Sequence, residues 1–311
     1  MNNLIGELIK YYRTSSKLSQ ADLALGICSR EYIGKIERGE HEPSLEIISA
    51  FSERLNVNLY HAYSTAYKYN SIDVYKIYNS LNVAFASENT AEIRRLVSIA
   101  EKTSGFRNGE PYRILCYAKS LLLFSEKKWE TAIEMLENGL EFLYDQEHCY
   151  HADSLLENID FALSLSLGVN LCNTSRRDKG IHILREIKNR AFYLLNHCTF
   201  DIDIKRAFWI NIICSSQINL YAFSPSIPIE MLDEIDEIIT YQAQNKRSHM
   251  IADLLYCKAA ILMNHNRIEE AKSIFTSAQT IGSIYYSPER LQQISENIIS
   301  KQSELALFDE R

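Results

Sequence analysis

Seven side chains between Lys17 and Arg38 carry donors and charges that could read duplex DNA: Lys17, Gln20, Ser29, Arg30, Tyr32, Lys35 and Arg38. Arg30 is the base reader of the set, because a guanidinium donates two hydrogen bonds at once to the major-groove edge of guanine. Ser29 and Lys35 could reach a base or a phosphate. Tyr32 could stack on sugar-phosphate or touch a thymine methyl. Gln20 is placed to bond a phosphate and lock the register, and Lys17 and Arg38 would add phosphate contacts at the flanks. Glu31 and Glu37 weaken this basic face. Glu37 also suits an intradomain partner, Arg13 in particular. A motif that only packs helices is the alternative reading of the same residues.

These side chains need two short helices held at a fixed angle, and residues 18–43, LSQADLALGICSREYIGKIERGEHEP, supply that layout. Ser19 with Asp22 three residues on has the capping-box spacing for a first helix. Leu23 and Ala24 give its apolar face. Gly26 gives the inter-helix turn the backbone freedom it needs. Ser29 then caps a second helix, with Ile33 and Ile36 inward and Arg30, Glu31 and Lys35 outward, a shape suited to a major groove. Residues 3–14 read as a preceding helix with Leu4, Ile5, Leu8, Ile9 and Tyr12 on one face. Pro43 and Ser44 open a fourth helix and a fifth runs over 59–67, so residues 1–67 make a five-helix domain. Residues 68–73 form a junction, and 68–311 a second domain.

The second domain reads as helix after helix with short polar breaks. A tetratricopeptide-like pattern, with apolar residues four and seven positions after an anchor, recurs at Ile93–Val97–Ala100, Ala132–Leu136–Gly139, Gly180–Leu184–Ile187, Met231–Ile235–Ile238 and Ala271–Phe275–Ala278. Leu255, Ala259 and Leu262 match the partner helix of the last, and Gly168 and Leu171 that of the third. The anchors lie about 40–50 residues apart rather than 34, so helices are longer or loops are inserted. The expected fold is therefore all-α, a Cro-like head followed by a helical-hairpin solenoid whose inner face suits an extended peptide. Inward positions are Tyr78, Asn82, Tyr117, Asn173 and Tyr256, joined by Asn170 and Asn219 if the register slips. Asn can pair with both groups of a peptide amide, and Tyr adds an apolar wall with a hydroxyl. Ordinary helix packing would use the same residues.

Composition narrows the classes. The net charge is −7, yet residues 1–70 hold eight basic and eight acidic side chains, so the deficit lies in the tail. An acidic chain is no generic polyanion binder; DNA would be met through a local face. Seven scattered cysteines without a CxxC suit reduced thiols in a cytoplasm. Neither a secretory leader nor a membrane span is expected, since polar residues interrupt each apolar stretch. Glu147, His148, Cys149, Tyr150, His151 and Asp153 suggest a metal cluster but lack a second ligand pair, and His197-Cys198 lacks a base and an orienting acid. No nucleotide-binding or hydrolase motif occurs. We expect no enzyme, no metal and no cofactor.

Gln20, Leu23, Ala24, Ile27, Ser29, Ile33, Lys35, Ile36, Glu37 and Pro43 together resemble the Xre/Cro-like head of the RRNPP regulators of Gram-positive bacteria. The span from Gln20 to Glu37, one residue shorter than the common Cro-like spacing, is similar to the Rgg, PlcR and PrgX group, and FSERLNVN over 51–58 resembles PrgX. Gly34 departs from the Ser often found there. The resemblance implies a cytoplasmic homodimer that binds inverted-repeat DNA and takes a short imported signalling peptide in its groove. Two alternatives stand beside it. One is a scaffold that recruits a protein partner to DNA; the other is an enzyme of the Rap type, which the intact head disfavours.

Overall fold

The structure, a computed structural model, describes residues 3–87, 89–141, 158–197, 203–224, 228–244 and 250–285. Among these the regular elements are helices, as the all-α expectation has it. The chain divides into two compact units, Met1–Ala118 and Lys119–Arg311. No helix of the described residues is long and apolar enough to cross a membrane.

The first unit begins with α1 (Leu4–Ser15), α2 (Gln20–Ala24), α3 (Arg30–Glu37), α4 (Leu45–Leu55) and α5 (Leu59–Tyr69). Each start is capped by a short polar side chain: Asn3, Ser19, Ser29, Ser44 and Asn58 accept from a backbone N–H of the first turn, satisfying donors a helix end leaves open. Ile9, Leu23, Ala24, Ile33, Ile36, Phe51, Leu55 and Leu59 meet in one buried cluster. Leu8, Ala62, Ala66 and Tyr75 form a second.

Residues 68–73 hold the end of α5, a left-handed Asn70 and the Ser71 cap of α6 (Ile72–Ala86). Tyr75 of α6 packs on α1 and α5, and its hydroxyl hydrogen-bonds that of Tyr12. α7 (Thr90–Ala100) and the first turns of α8 (Gly109–Ser125) complete the unit. Burial drives the Tyr12 and Tyr75 hydroxyls up from the ordinary phenol range.

In the second unit α9 (Trp129–Gly139), α10 (Asn158–Cys172), α11 (Arg177–His197), α12 (Asp203–Phe223), α13 (Met231–Gln244), α14 (Ile251–Asn264) and α15 (Ile268–Tyr285) pack chiefly against sequence neighbours. This is the arrangement of stacked hairpins. The anchors expected on the second helix of each hairpin are buried in α7, α9, α11 and α13; in α15 Ala271 and Ala278 are buried and Phe275 half-buried. α10 and α11 cross at two glycines. A Cβ at Gly180 would lie 2.6 Å from the Gly168 carbonyl oxygen and 2.7 Å from Cys172 Sγ. Burial pushes the Cys172 and Cys214 thiols up to about 12 each.

Candidate functional site

The two-helix motif is built as its spacing dictates. Asp22 N–H donates to Ser19 Oγ at 3.1 Å and Ser19 N–H to Asp22 Oδ2 at 2.8 Å, closing the capping box; the Ser19 bonds hold the Asp22 carboxyl below its ordinary range. Gly26 takes φ 71° in the turn, and no atom lies within 4 Å of a Cβ placed there. Its requirement is thus backbone freedom rather than space. Tyr32 N–H donates to Ser29 Oγ at 3.2 Å, starting α3.

Three further side chains fix α2 and α3. Glu37 accepts from Arg13 Nε at 2.6 Å and Nη2 at 3.1 Å, and from Gln20 Nε2 at 2.9 Å. Arg54, from α4, donates through Nη1 to the carbonyls of Asp22, Leu23 and Leu25 at 3.4, 2.9 and 2.5 Å, so the open carbonyls at the end of α2 find a cation. Asn3 donates through Nδ2 to the carbonyls of Ile36 and Glu37 at 3.3 and 3.1 Å, and holds the far end of α3 against the start of α1. Arg54 and Asn3 carry no sequence signal beyond a cap residue and a helix-end cation, because each acts across about 30 residues.

On this frame Arg30 and Lys35 are exposed, opposite the buried Ile33 and Ile36. Ser29 and Lys17 are exposed as well, Lys17 at φ 58° after α1. The other expected contacts are partly engaged within the chain. Gln20 is half-buried with its Nε2 on Glu37. Arg38 is paired with Glu40 at 2.6 and 3.0 Å, an exposed pair that a phosphate can displace. Tyr32 packs its ring on the core and donates to the Glu42 carbonyl at 3.4 Å.

The expected groove residues separate into two sets. Tyr78 and Asn82 meet on α6, where Tyr78 donates to Glu110 Oε1 at 3.0 Å. Glu110 also accepts from Lys68 Nζ at 2.8 Å and Tyr69 hydroxyl at 2.7 Å. Burial alone would raise the Glu110 carboxyl, but these donors outweigh it and hold it below the ordinary carboxylate range; burial, with Glu110 beside it, pushes Tyr78 up to about 12. Tyr117 lies edge-on to Phe85. Asn173 is exposed and Asn219 half-buried, with Nδ2 of each on the carbonyl four residues back at 2.8 Å. Asn170 and Tyr256, by contrast, are core: 0% and 1% exposed. Nδ2 of Asn170 is on the Ser166 carbonyl, and Tyr256 sits edge-on to Phe275. Their helices are covered on nearly all sides, so neither faces an open groove.

Sequence reasoning missed a polar seam in the second unit. The buried Lys188 donates to Gln217 Oε1 at 2.9 Å and to Glu234 at 2.8 Å, and Gln242 Nε2 donates to Cys214 Sγ at 3.4 Å. Among the described residues, Asn170 Oδ1, Ser216 Oγ, Gln217 Nε2 and Gln242 Oε1 have no hydrogen-bond partner. Lys188, Gln217 and Glu234 stand on separate helices, and no spacing in the sequence announces their meeting. The cluster suggested at 147–153, and Cys198, lie outside the described residues. His197, beside Cys198, stacks on Tyr193 with ring centroids 4.3 Å apart.

Residues 9–61 match the family model described as Helix-turn-helix. No curated protein matches the chain. Among solved structures, the chain is similar to PlcR of Bacillus thuringiensis in complex with a peptide and DNA, at 17% identity and TM-score 0.55, over 97% of this chain and 99% of that one. Apo PlcR from the same organism matches at 16% identity and TM-score 0.55, over 96% and 99%. ComR from S. thermophilus with DNA and its signalling peptide matches at 18% identity and TM-score 0.48, over 97% and 99%. At such identities the PlcR likeness establishes the fold, a helix-turn-helix head followed by helical hairpins.

Proposed function

We propose that this chain is a cytoplasmic transcription regulator that reads an operator through α3 and answers to a short signalling peptide held by its helical hairpins. The observation that carries the first half is the exposed pair Arg30 and Lys35 on a helix fixed from three sides, in a segment matching a DNA-binding family. Arg30 reads guanine; Ser29 and Lys35 reach base or phosphate; Lys17 and Arg38 meet phosphates; Gln20 and Tyr32 hold the register. The functional boundary stays at 67/68, with α6 as the first helix of the sensing part. A homodimer would read two half-sites about one helical turn, or a multiple, apart.

The second half is supported by the PlcR complex, which holds peptide and DNA on the same fold. Tyr78, Asn82, Tyr117, Asn173 and Asn219 are the contact candidates that keep some exposure. The buried amide atoms of Asn170, Gln217 and Gln242 that lack a partner among the described residues have the chemistry of peptide main-chain partners, which a rearrangement of these helices on binding would expose. Peptide would shift DNA affinity by favouring one arrangement of the heads over another.

The test is a gel-shift titration of the full chain and of Arg30→Ala against the promoter region of its own gene. The variant should keep its fold and any peptide binding and lose the specific shift. Retained sequence-specific binding by Arg30→Ala would refute the role of Arg30. Calorimetry with C-terminal fragments of a small secreted precursor encoded next to the gene tests the peptide.

A further inference from the structure

Glu31 is an oddity on a face meant for a polyanion. It is exposed on the second residue of α3 and, among the described residues, has no ion pair or hydrogen bond. The other acids between Ser19 and Glu40 are engaged: Asp22 caps α2, Glu37 holds Arg13 and Gln20, and Glu40 holds Arg38. Its position is central. At about 100° per residue, Ile33 and Ile36 point about 200° and 140° away from it, so Glu31 lies opposite the two isoleucines that pack α3 on the core. Arg30 flanks it by about 100° on one side and Lys35 by about 40° on the other.

A carboxylate there is repelled by every phosphate it approaches. A stabilising effect on the helix start, by an acid in the first turn, would explain a Glu anywhere in that turn. It does not require the position on α3 that lies opposite the buried Ile33 and Ile36. What a lone acceptor can gain in a major groove is the N4 amino group of cytosine, the donor that Glu pairs with by geometry.

Resting on the DNA-binding function proposed above, we infer that Glu31 is a specificity residue that accepts a hydrogen bond from a cytosine amino group in each half-site and rejects a thymine at that position. Arg30 supplies affinity and guanine readout. Glu31 supplies discrimination, at a cost in binding to DNA of any other sequence. A thymine presents its O4 acceptor where cytosine presents the amino group, so the carboxylate would face a second acceptor.

The experiment is selection from a library of random duplexes with the full-length chain, its Glu31→Gln and its Glu31→Ala variants, each checked for native helicity. The wild type should enrich a motif with one cytosine per half-site whose replacement weakens binding roughly tenfold. Glu31→Ala should lose the preference at that base pair alone and bind random duplex more tightly than the wild type. Glu31→Gln should move the preference towards adenine, the base a side-chain amide pairs with. Failure of the wild type to enrich any motif overturns the DNA-reading function itself. An enriched motif that both variants leave unchanged, or an equal loss of binding to all sequences in folded variants, overturns the role of Glu31 alone.

Discussion

Arg13 and Glu37 form a bidentate pair, with Nε and Nη2 of the guanidinium at 2.6 and 3.1 Å from the two carboxylate oxygens. Their side chains are only 12% and 5% exposed. The pair joins α1 to the last turn of α3, and Gln20 adds α2 to the same carboxylate. Three helices of the head therefore share one anion. Removing it leaves a guanidinium enclosed without its partner. Glu37→Ala should destabilise the head by about 3 kcal/mol, read as a lowered midpoint of chemical denaturation of the full chain.

The crossing of α10 over α11 depends on the absence of a side chain at Gly180. A methyl group there would press on the Gly168 carbonyl and Cys172 Sγ, both closer than real Cβ contacts. Gly180→Ala should cost about 2 kcal/mol through forced separation of the helices. Thermal unfolding checks this, and Lys179→Ala on the half-exposed neighbouring position should change little by comparison.

Lys17 stands exposed at the entry to the motif. If it meets a phosphate, Lys17→Ala should weaken binding evenly across DNA sequences and reduce the slope of log affinity against log salt by about 1. Titrations at several salt concentrations, with the enriched motif and with a scrambled duplex, measure both effects. A change confined to one base pair would place Lys17 in base readout instead.

The Glu110 site gives a pH dependence with a fixed sign. Its carboxylate is stabilised in the fold by Lys68, Tyr69 and Tyr78, so its folded value lies below the unfolded one. That contribution is complete above the ordinary carboxylate value of about 4.3 and is lost as pH falls through the lowered value. Glu110→Gln should lower the melting temperature near neutral pH, and the gap from the wild type should close below about pH 4. Melting curves across that range would show it; a constant gap would mean the side chain acts through packing.

Local signals made the head legible. Ser19 with Asp22, Ser29 and Ser44 announced helix starts, and each does cap one. The apolar anchors of the hairpins were equally readable, because a helix with one solvent side shows a 3.6-residue period. Gly168 and Gly180 stood in that pattern, although their close approach did not. The burial of Asn170 and Tyr256 is not legible in the sequence, for a physical reason. α10 and α14 are buried around most of their circumference, so periodicity gives no direction for any one residue. Arg54 reaching back to α2, and the meeting of Lys188 with Gln217 and Glu234, depend on how distant helices are placed. No spacing in a single sequence encodes that.

Asn3 ties the start of α1 to the closing turn of α3 through two carbonyls. Asn3 is thus part of what holds α3 in place. A fusion partner or trimmed start that displaced Asn3 would loosen α3 at the end away from its cap. DNA affinity measured on such a protein would then report the tether as much as the operator.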